Sequence, residues 1–172
     1  YLSNKFMDFV FDSRLRRIFG QIRSKLNFQD IMNNGKILLI NLAKGLLGEA
    51  NSNFVGLILM AKIQAEAMKR AAISPSKRRP FFLYVDEFQS LATENFTIML
   101  SEARKFGIGL VLANQFVSQI KDPRIVQAIF GNVGSFLSFR LGREDAGLIE
   151  PQFLPYFDHM DLINLPNWQV AM

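Results

Sequence analysis

The chain contains no cysteine and a single histidine, His159. The first absence excludes disulfides, thiolate zinc sites and cysteine nucleophiles together. The second excludes a His-rich metal centre and argues against a Ser-His-Asp triad. His159 lies in a Pro-bounded, irregular segment and reads as a surface or packing residue. Long apolar runs are also missing. The longest near the middle, Val55 to Ala61, is interrupted by Gly56 and falls far short of the roughly 20 residues that span a bilayer. No signal peptide is visible. No G-x-G-x-x-G follows any expected strand, which disfavours a Rossmann dinucleotide enzyme. Internal repeats, low-complexity tracts and heptad seams are absent.

What is present is an ordinary globular composition. The 172 residues are 49% hydrophobic and 20% charged, enough for one domain with a substantial core. Twenty Lys and Arg face 15 Asp and Glu, a net charge of +5, which permits a nucleic-acid partner without demanding one. The 17 phenylalanines fall mostly within apolar runs and read as core and interface. The chain starts at Tyr1 rather than Met and its last residues, "NWQVAM", read as the beginning of a strand. We expect a piece of a longer polypeptide.

Strand and helix signals alternate. Two helical segments, about Leu2–Phe11 and Arg14–Leu26, precede an Asn-Gly turn in "IMNNG", so residues 1–34 read as a small helical insertion or cap. "KILLINLA", Lys36 to Ala43, has the continuous apolar character of a buried strand. Ser52 is expected to cap a helix over Asn53 to Ala72, followed by the basic loop "SPSKRRP" and a strand at Phe81–Val85. A helix from Glu94 to Phe106 ends at Gly107, and "IGLVLAN" gives the next strand, Ile108 to Asn114. Asp122-Pro123 opens another helix with Gly131 near its end. "GSFLSFR", Gly134 to Arg140, reads as a fourth strand, Glu144 to Ile149 as a short helix, and "WQVAM" as a fifth strand. This order argues for one α/β domain over residues 35–172: a largely parallel sheet with helices on both faces.

Ligands of such sheets bind outside the carboxyl ends of the strands. Asp86 and Glu87 end the Phe81–Val85 strand in "RPFFLYVDEFQS", Asn114 and Gln115 end the next, and Arg140 the one after. Adjacent acids repel each other and are costly to desolvate, so the pair needs a reason. Beside a polar amide and a cation it suits a nucleotide-phosphate site. One carboxylate would hold Mg²⁺ through water, the next would polarise the attacking water, and the amide would sense the γ-phosphate. The plain alternative is that the acids cap a helix N-terminus. Lys44-Gly45, after the first strand, reads as a turn. Lys77, Arg78 and Arg79 make either a DNA-phosphate contact, a subunit contact or a solvated loop.

Three blocks in order carry a resemblance: "GKILLINLAKGLLGE", "PFFLYVDEFQSLATENFTIMLSEARKFGIGLVLANQFVSQI" and "IFGNVGSFLSFRLGREDA". Together, roughly from Phe28 to Ala146, they resemble the HerA/FtsK superfamily of motor ATPases, and more narrowly the TraG/TraD-like coupling ATPases of conjugation and type IV secretion. The resemblance implies a RecA-like, P-loop NTPase-type core using ATP and Mg²⁺. It matches Asp86 to the Mg²⁺-coordinating Walker B acid, Glu87 to the catalytic glutamate and Gln115 to the polar sensor. Arg104, in "EARKFG", matches a basic position that acts on a neighbouring subunit. It precedes the Ile108–Asn114 strand and so lies at the sheet's amino edge, about 15–20 Å from the acids, which permits action only in trans. Its other reading is an exposed cation on a helix dipole. Arg140 is a second finger or sensor candidate, on the edge suited to a cis role.

One departure stands out: no G-x-x-x-x-G-K-[ST] occurs anywhere in the chain. The resemblance places that phosphate loop upstream, and we expect it in the parent before Tyr1, so that this piece alone hydrolyses ATP negligibly. The implied parent is a cytoplasmic ring, of hexameric type, driving DNA or a protein–DNA complex through a central channel. It would contact secretion-system membrane components and be anchored to the inner membrane through segments outside this chain. A HerA-type DNA-processing translocase and a non-catalytic α/β binding module are the competing readings.

Overall fold

A computed structural model describes residues 12–172. The helix expected at Leu2–Phe11 lies outside them. The described chain divides into two compact units. One holds the described residues up to Phe82 with Lys105–Gly109, and the other Leu83–Arg104 with Leu110–Met172.

The first unit opens with α1, Ser13–Phe19. Asp12 caps it, accepting from the Arg14 and Leu15 amides at 2.8 and 3.2 Å. Those two bonds hold the Asp12 carboxyl below its ordinary range. The helix stops at Gly20 rather than running to Leu26, because the Gly20 N–H closes on the Arg16 carbonyl as a C-cap. Helix α2, Phe28–Asn33, is capped by Asn27 and buries Phe28, Ile31 and Met32. The Asn-Gly turn follows as expected, with Gly35 at φ 65°.

Lys36–Ala43 is not a strand. Ile37 and Leu39 are each 90% exposed, and no ladder partner lies beside them among the described residues. An apolar run records a tendency to be buried, but a strand exists only where a neighbour takes its hydrogen bonds. After the single turn α3, Lys44–Leu47, helix α4 runs over Glu49–Lys69 and continues as a 3₁₀ turn at Arg70–Ala72. It begins ahead of Ser52, which is therefore no cap. Ser52 is fully buried and donates its hydroxyl proton to the Leu42 carbonyl at 3.1 Å.

Strands β1 (Phe81–Val85) and β2 (Ile108–Leu112) are the only strands of the sheet among the described residues. Phe81 N–H donates to the Gly107 carbonyl, Ala113 N–H to Val85, and Phe88 N–H to Ala113, at 3.0, 2.9 and 3.2 Å. Both chains advance together, so the pair is parallel. Phe82 and Tyr84 are 59% and 71% exposed, so β1 is not buried on both faces. Gly109 accommodates its neighbour: a Cβ there would stand 2.6 Å from a carbon of the Phe82 ring.

In the second unit α5 (Glu94–Glu102) packs against α6 (Pro123–Asn132); the 3₁₀ turn Ala103–Phe106 that extends α5 runs on into the first unit at Lys105. Phe88 and Phe96 stack with centroids 6.1 Å apart. Asp122 caps α6 through the Arg124 amide, and Pro123 occupies the first turn as expected. Helices α7 (Arg143–Ile149) and α8 (His159–Asn164) pack together around Ala146, Phe153, Leu162, Leu165 and Ala171. His159 starts α8, and its N–H donates to a Glu150 carboxylate oxygen at 3.1 Å.

Gly134–Arg140 and the "WQVAM" end do not form strands. They share one antiparallel bridge, Ser138 to Ala171, with both N–H···O bonds at 2.9 Å. Flanking residues Leu137, Phe139 and Trp168 are exposed. The described residues are thus α/β with a small parallel sheet in place of the larger one expected. Among them no helix is long and apolar enough to cross a membrane.

Candidate active site

The carboxyl ends of β1 and β2 place the acidic pair and the Asn114-Gln115 amides on the same edge of the strand pair. Val85 and Ala113 are paired across the ladder, so Asp86-Glu87 and Asn114-Gln115 leave adjacent strands at the same level. Asp86 is exposed and Glu87 half-buried. Asp86 Oδ1 accepts the Glu87 N–H at 2.9 Å. That bond holds a sharp turn in which Glu87 takes the left-handed conformation, φ 48°. A non-glycine residue there is strained. The Glu87 carbonyl then accepts from both the amide and the hydroxyl of Ser90, at 3.1 and 2.9 Å. Glu87 makes no side-chain capping bond to the 3₁₀ turn at Phe88–Ser90, so the helix-capping alternative has no support from it.

Gln115 is exposed just beyond β2. The preceding Asn114 is half-buried, and its Nδ2 is buried without a hydrogen-bond partner. Arg104 sits in the 3₁₀ turn before β2, exposed, at the amino end of the strand pair. The strand pair therefore separates it from the acids. Arg140 follows the lone Ser138 bridge rather than a strand, so the argument that placed it on the carboxyl edge does not hold. Lys44 opens the single turn α3, close to the turn expected there. Among the described residues no three of His, Cys, Asp and Glu cluster as metal ligands.

The basic loop divides by role. The Arg78 guanidinium donates to the carbonyls of Arg70, Ala71, Ile73 and Lys105. The Arg79 side chain lies against Gly35, where a Cβ would collide with its guanidinium. Lys77 is exposed.

Two residues escaped the sequence reading. Arg70, at the end of α4, is buried and donates to the carbonyls of Gly107 and Arg79. Asp145, in the first turn of α7, is 3% exposed and accepts the Ser118 N–H at 2.9 Å. In neither case does the sequence name the partner, because the partner is main chain.

The family model of the type IV secretion-system coupling protein DNA-binding domain matches residues 7–146. The chain belongs to that family. The match takes in β1, β2, the acidic turn, Arg104, Gln115 and Asp145, so the coupling-protein domain contains every candidate described above. No curated protein and no solved structure gives a significant match.

Proposed function

We propose that the chain is the carboxyl-terminal part of the motor core of a coupling ATPase, which moves DNA or a nucleoprotein for conjugation or type IV secretion. The observation that carries the reading is the placement of Asp86, Glu87 and Gln115 just after the ends of two paired parallel strands, inside a segment matched to the coupling-protein family. DNA as partner follows from the family's description. Assembly into a RecA-like ring, of hexameric type, is part of the same proposal.

Mg²⁺ with ATP would supply charge neutralisation at the phosphates. Asp86 is suited to hold that ion through water: it is exposed, and one of its oxygens already fixes the turn. The strained turn aims the chain so that Glu87 follows directly, where it accepts a proton from and orients the attacking water. Gln115 hydrogen-bonds the transferring group from the next strand. Arg104 serves a neighbouring subunit's site as a finger, an effect worth about 10³–10⁵ in rate. The phosphate loop comes from the parent polypeptide.

The test is Glu87→Gln in a complete coupling protein that includes the phosphate loop. Hydrolysis should be lost while ATP binding persists; unchanged turnover would remove Glu87 from the mechanism. A second reading, a DNA-binding module without catalysis, is favoured by the description of the matched family, which names DNA binding. It requires that the complete protein bind DNA and never hydrolyse ATP.

A further inference from the structure

Asp145 is a buried carboxylate that the proposed mechanism does not use. It occupies the first turn of α7, whose N-cap Gly142 offers no side-chain bond. Its Oδ1 accepts the Ser118 N–H at 2.9 Å. Ser118 is the middle residue of the 3₁₀ turn Val117–Gln119, which packs against α7. That turn begins two residues after Gln115. A second tie grips the same turn from the other side: Gln89 Nε2 donates to Gln119 Oε1 at 3.2 Å. Gln89 belongs to the 3₁₀ turn immediately after Glu87. The segment from Gln115 to Gln119 is therefore strapped at one point to the acidic turn and at another to α7.

Burying a carboxylate is expensive, and an apolar side chain of similar volume is often at least as stable. The first turn of a helix offsets part of that cost through the dipole and open N–H groups. What an apolar side chain cannot do is accept the Ser118 N–H, and losing that acceptor would leave the amide of this exposed residue to water. The carboxylate thus fixes where the post-β2 loop sits.

We infer that Asp145 is a positioning residue for the sensor: by holding Ser118 it fixes the loop that presents Gln115 beside the Asp86–Glu87 turn. This rests on the ATPase reading for the role of Gln115, while the strap itself does not.

Two measurements separate those parts. In the 172-residue chain, hydrogen exchange at the Ser118 amide should quicken about tenfold in Asp145→Ala. Asp145→Asn, which keeps an acceptor oxygen, should restore most of the protection. In the complete protein, Asp145→Ala should lower kcat to the level of Gln115→Ala with the KM for ATP little changed. The double variant should lose no more than either single one, and Asp145→Asn should recover most of the turnover. Should Asp145→Ala fail to fold, Ser118→Pro removes the donor instead and should give the same kcat loss. Unchanged Ser118 exchange overturns the strap. Full turnover in Asp145→Ala, with Glu87→Gln inactive, overturns the positioning role alone. Absence of ATP turnover in the unsubstituted complete protein overturns the ATPase reading, a distinct result.

Discussion

Arg78 donates from Nε to the carbonyls of both Arg70, at 3.0 Å, and Ile73, at 2.8 Å. Arg70 in turn sends its own guanidinium to the carbonyls of Gly107, at 3.3 Å, and Arg79. The two cations thus staple the end of α4 to the loop before β1 and to the turn before β2, using carbonyl dipoles in place of carboxylates. Arg70 is 1% exposed, and burial, then the Arg78 charge, pushes its pKa below the ordinary value. A guanidinium tolerates this because it remains charged under almost any condition and forks to two acceptors.

Arg70→Met should therefore destabilise the chain by about 1–3 kcal/mol, since it removes two hydrogen bonds from a charged donor to part-buried carbonyls. Arg70→Lys should recover little, because an ammonium lacks the fork. Urea unfolding followed by circular dichroism measures both. A midpoint for Arg70→Met equal to that of the parent chain would show that the staple contributes nothing.

Asp30 links the turn after α2 to Lys36, whose Nζ lies 2.5 Å from Asp30 Oδ2, and accepts from Asn34 as well. The Lys36 bond first, then the Asn34 bond, lowers the Asp30 pKa. A lowered folded-state pKa contributes stability above the unfolded value, about 3.9, and that contribution is lost as pH falls through the folded one. Lys36→Met should move the Asp30 titration, read by carboxyl NMR shifts, up toward the ordinary carboxylate range. An unmoved titration would mean that Asn34 and the helix set it.

Gly109 and Phe82 make a matched pair on the first part of the strand ladder. Gly109→Ala places a methyl against the Phe82 ring, and overpacking of this kind costs about 1–3 kcal/mol. The same substitution in a Phe82→Ala background should cost much less. Thermal unfolding of the four members of that cycle decides it; additive losses would place the damage in the backbone instead.

The elements most legible in the sequence were those whose signals are local. Asp122-Pro123 set the start of α6, Gly107 ended the 3₁₀ extension of α5, and the Phe81–Val85 and Ile108–Leu112 runs paired with each other. Among the described residues Lys36–Ala43 has no ladder partner and Gly134–Arg140 has only the single Ser138–Ala171 bridge, and sequence pattern says nothing about partners. The positions of Asp86, Glu87 and Gln115 just past the two strands were legible because strand ends define an edge. Asp145 and Arg70 were not, since each acts on a main-chain group 27 or more residues away, or across a loop, that any residue type could supply.

The divided roles in the basic loop give a last test. Lys77 is exposed and Arg79 is exposed beside Gly35, whereas Arg78 is engaged by four carbonyls. If the loop meets DNA phosphates, Lys77→Ala and Arg79→Ala should each weaken binding to duplexes of any sequence. Each should also reduce the slope of log affinity against log salt by about one. Arg78→Met should instead lower the unfolding midpoint, because its charge is spent on carbonyls inside the chain. Fluorescence anisotropy with two unrelated duplexes across a salt series, paired with urea unfolding, separates these outcomes. An unaltered salt slope in the Lys77→Ala, Arg79→Ala double variant would assign the DNA contact to another surface of the domain.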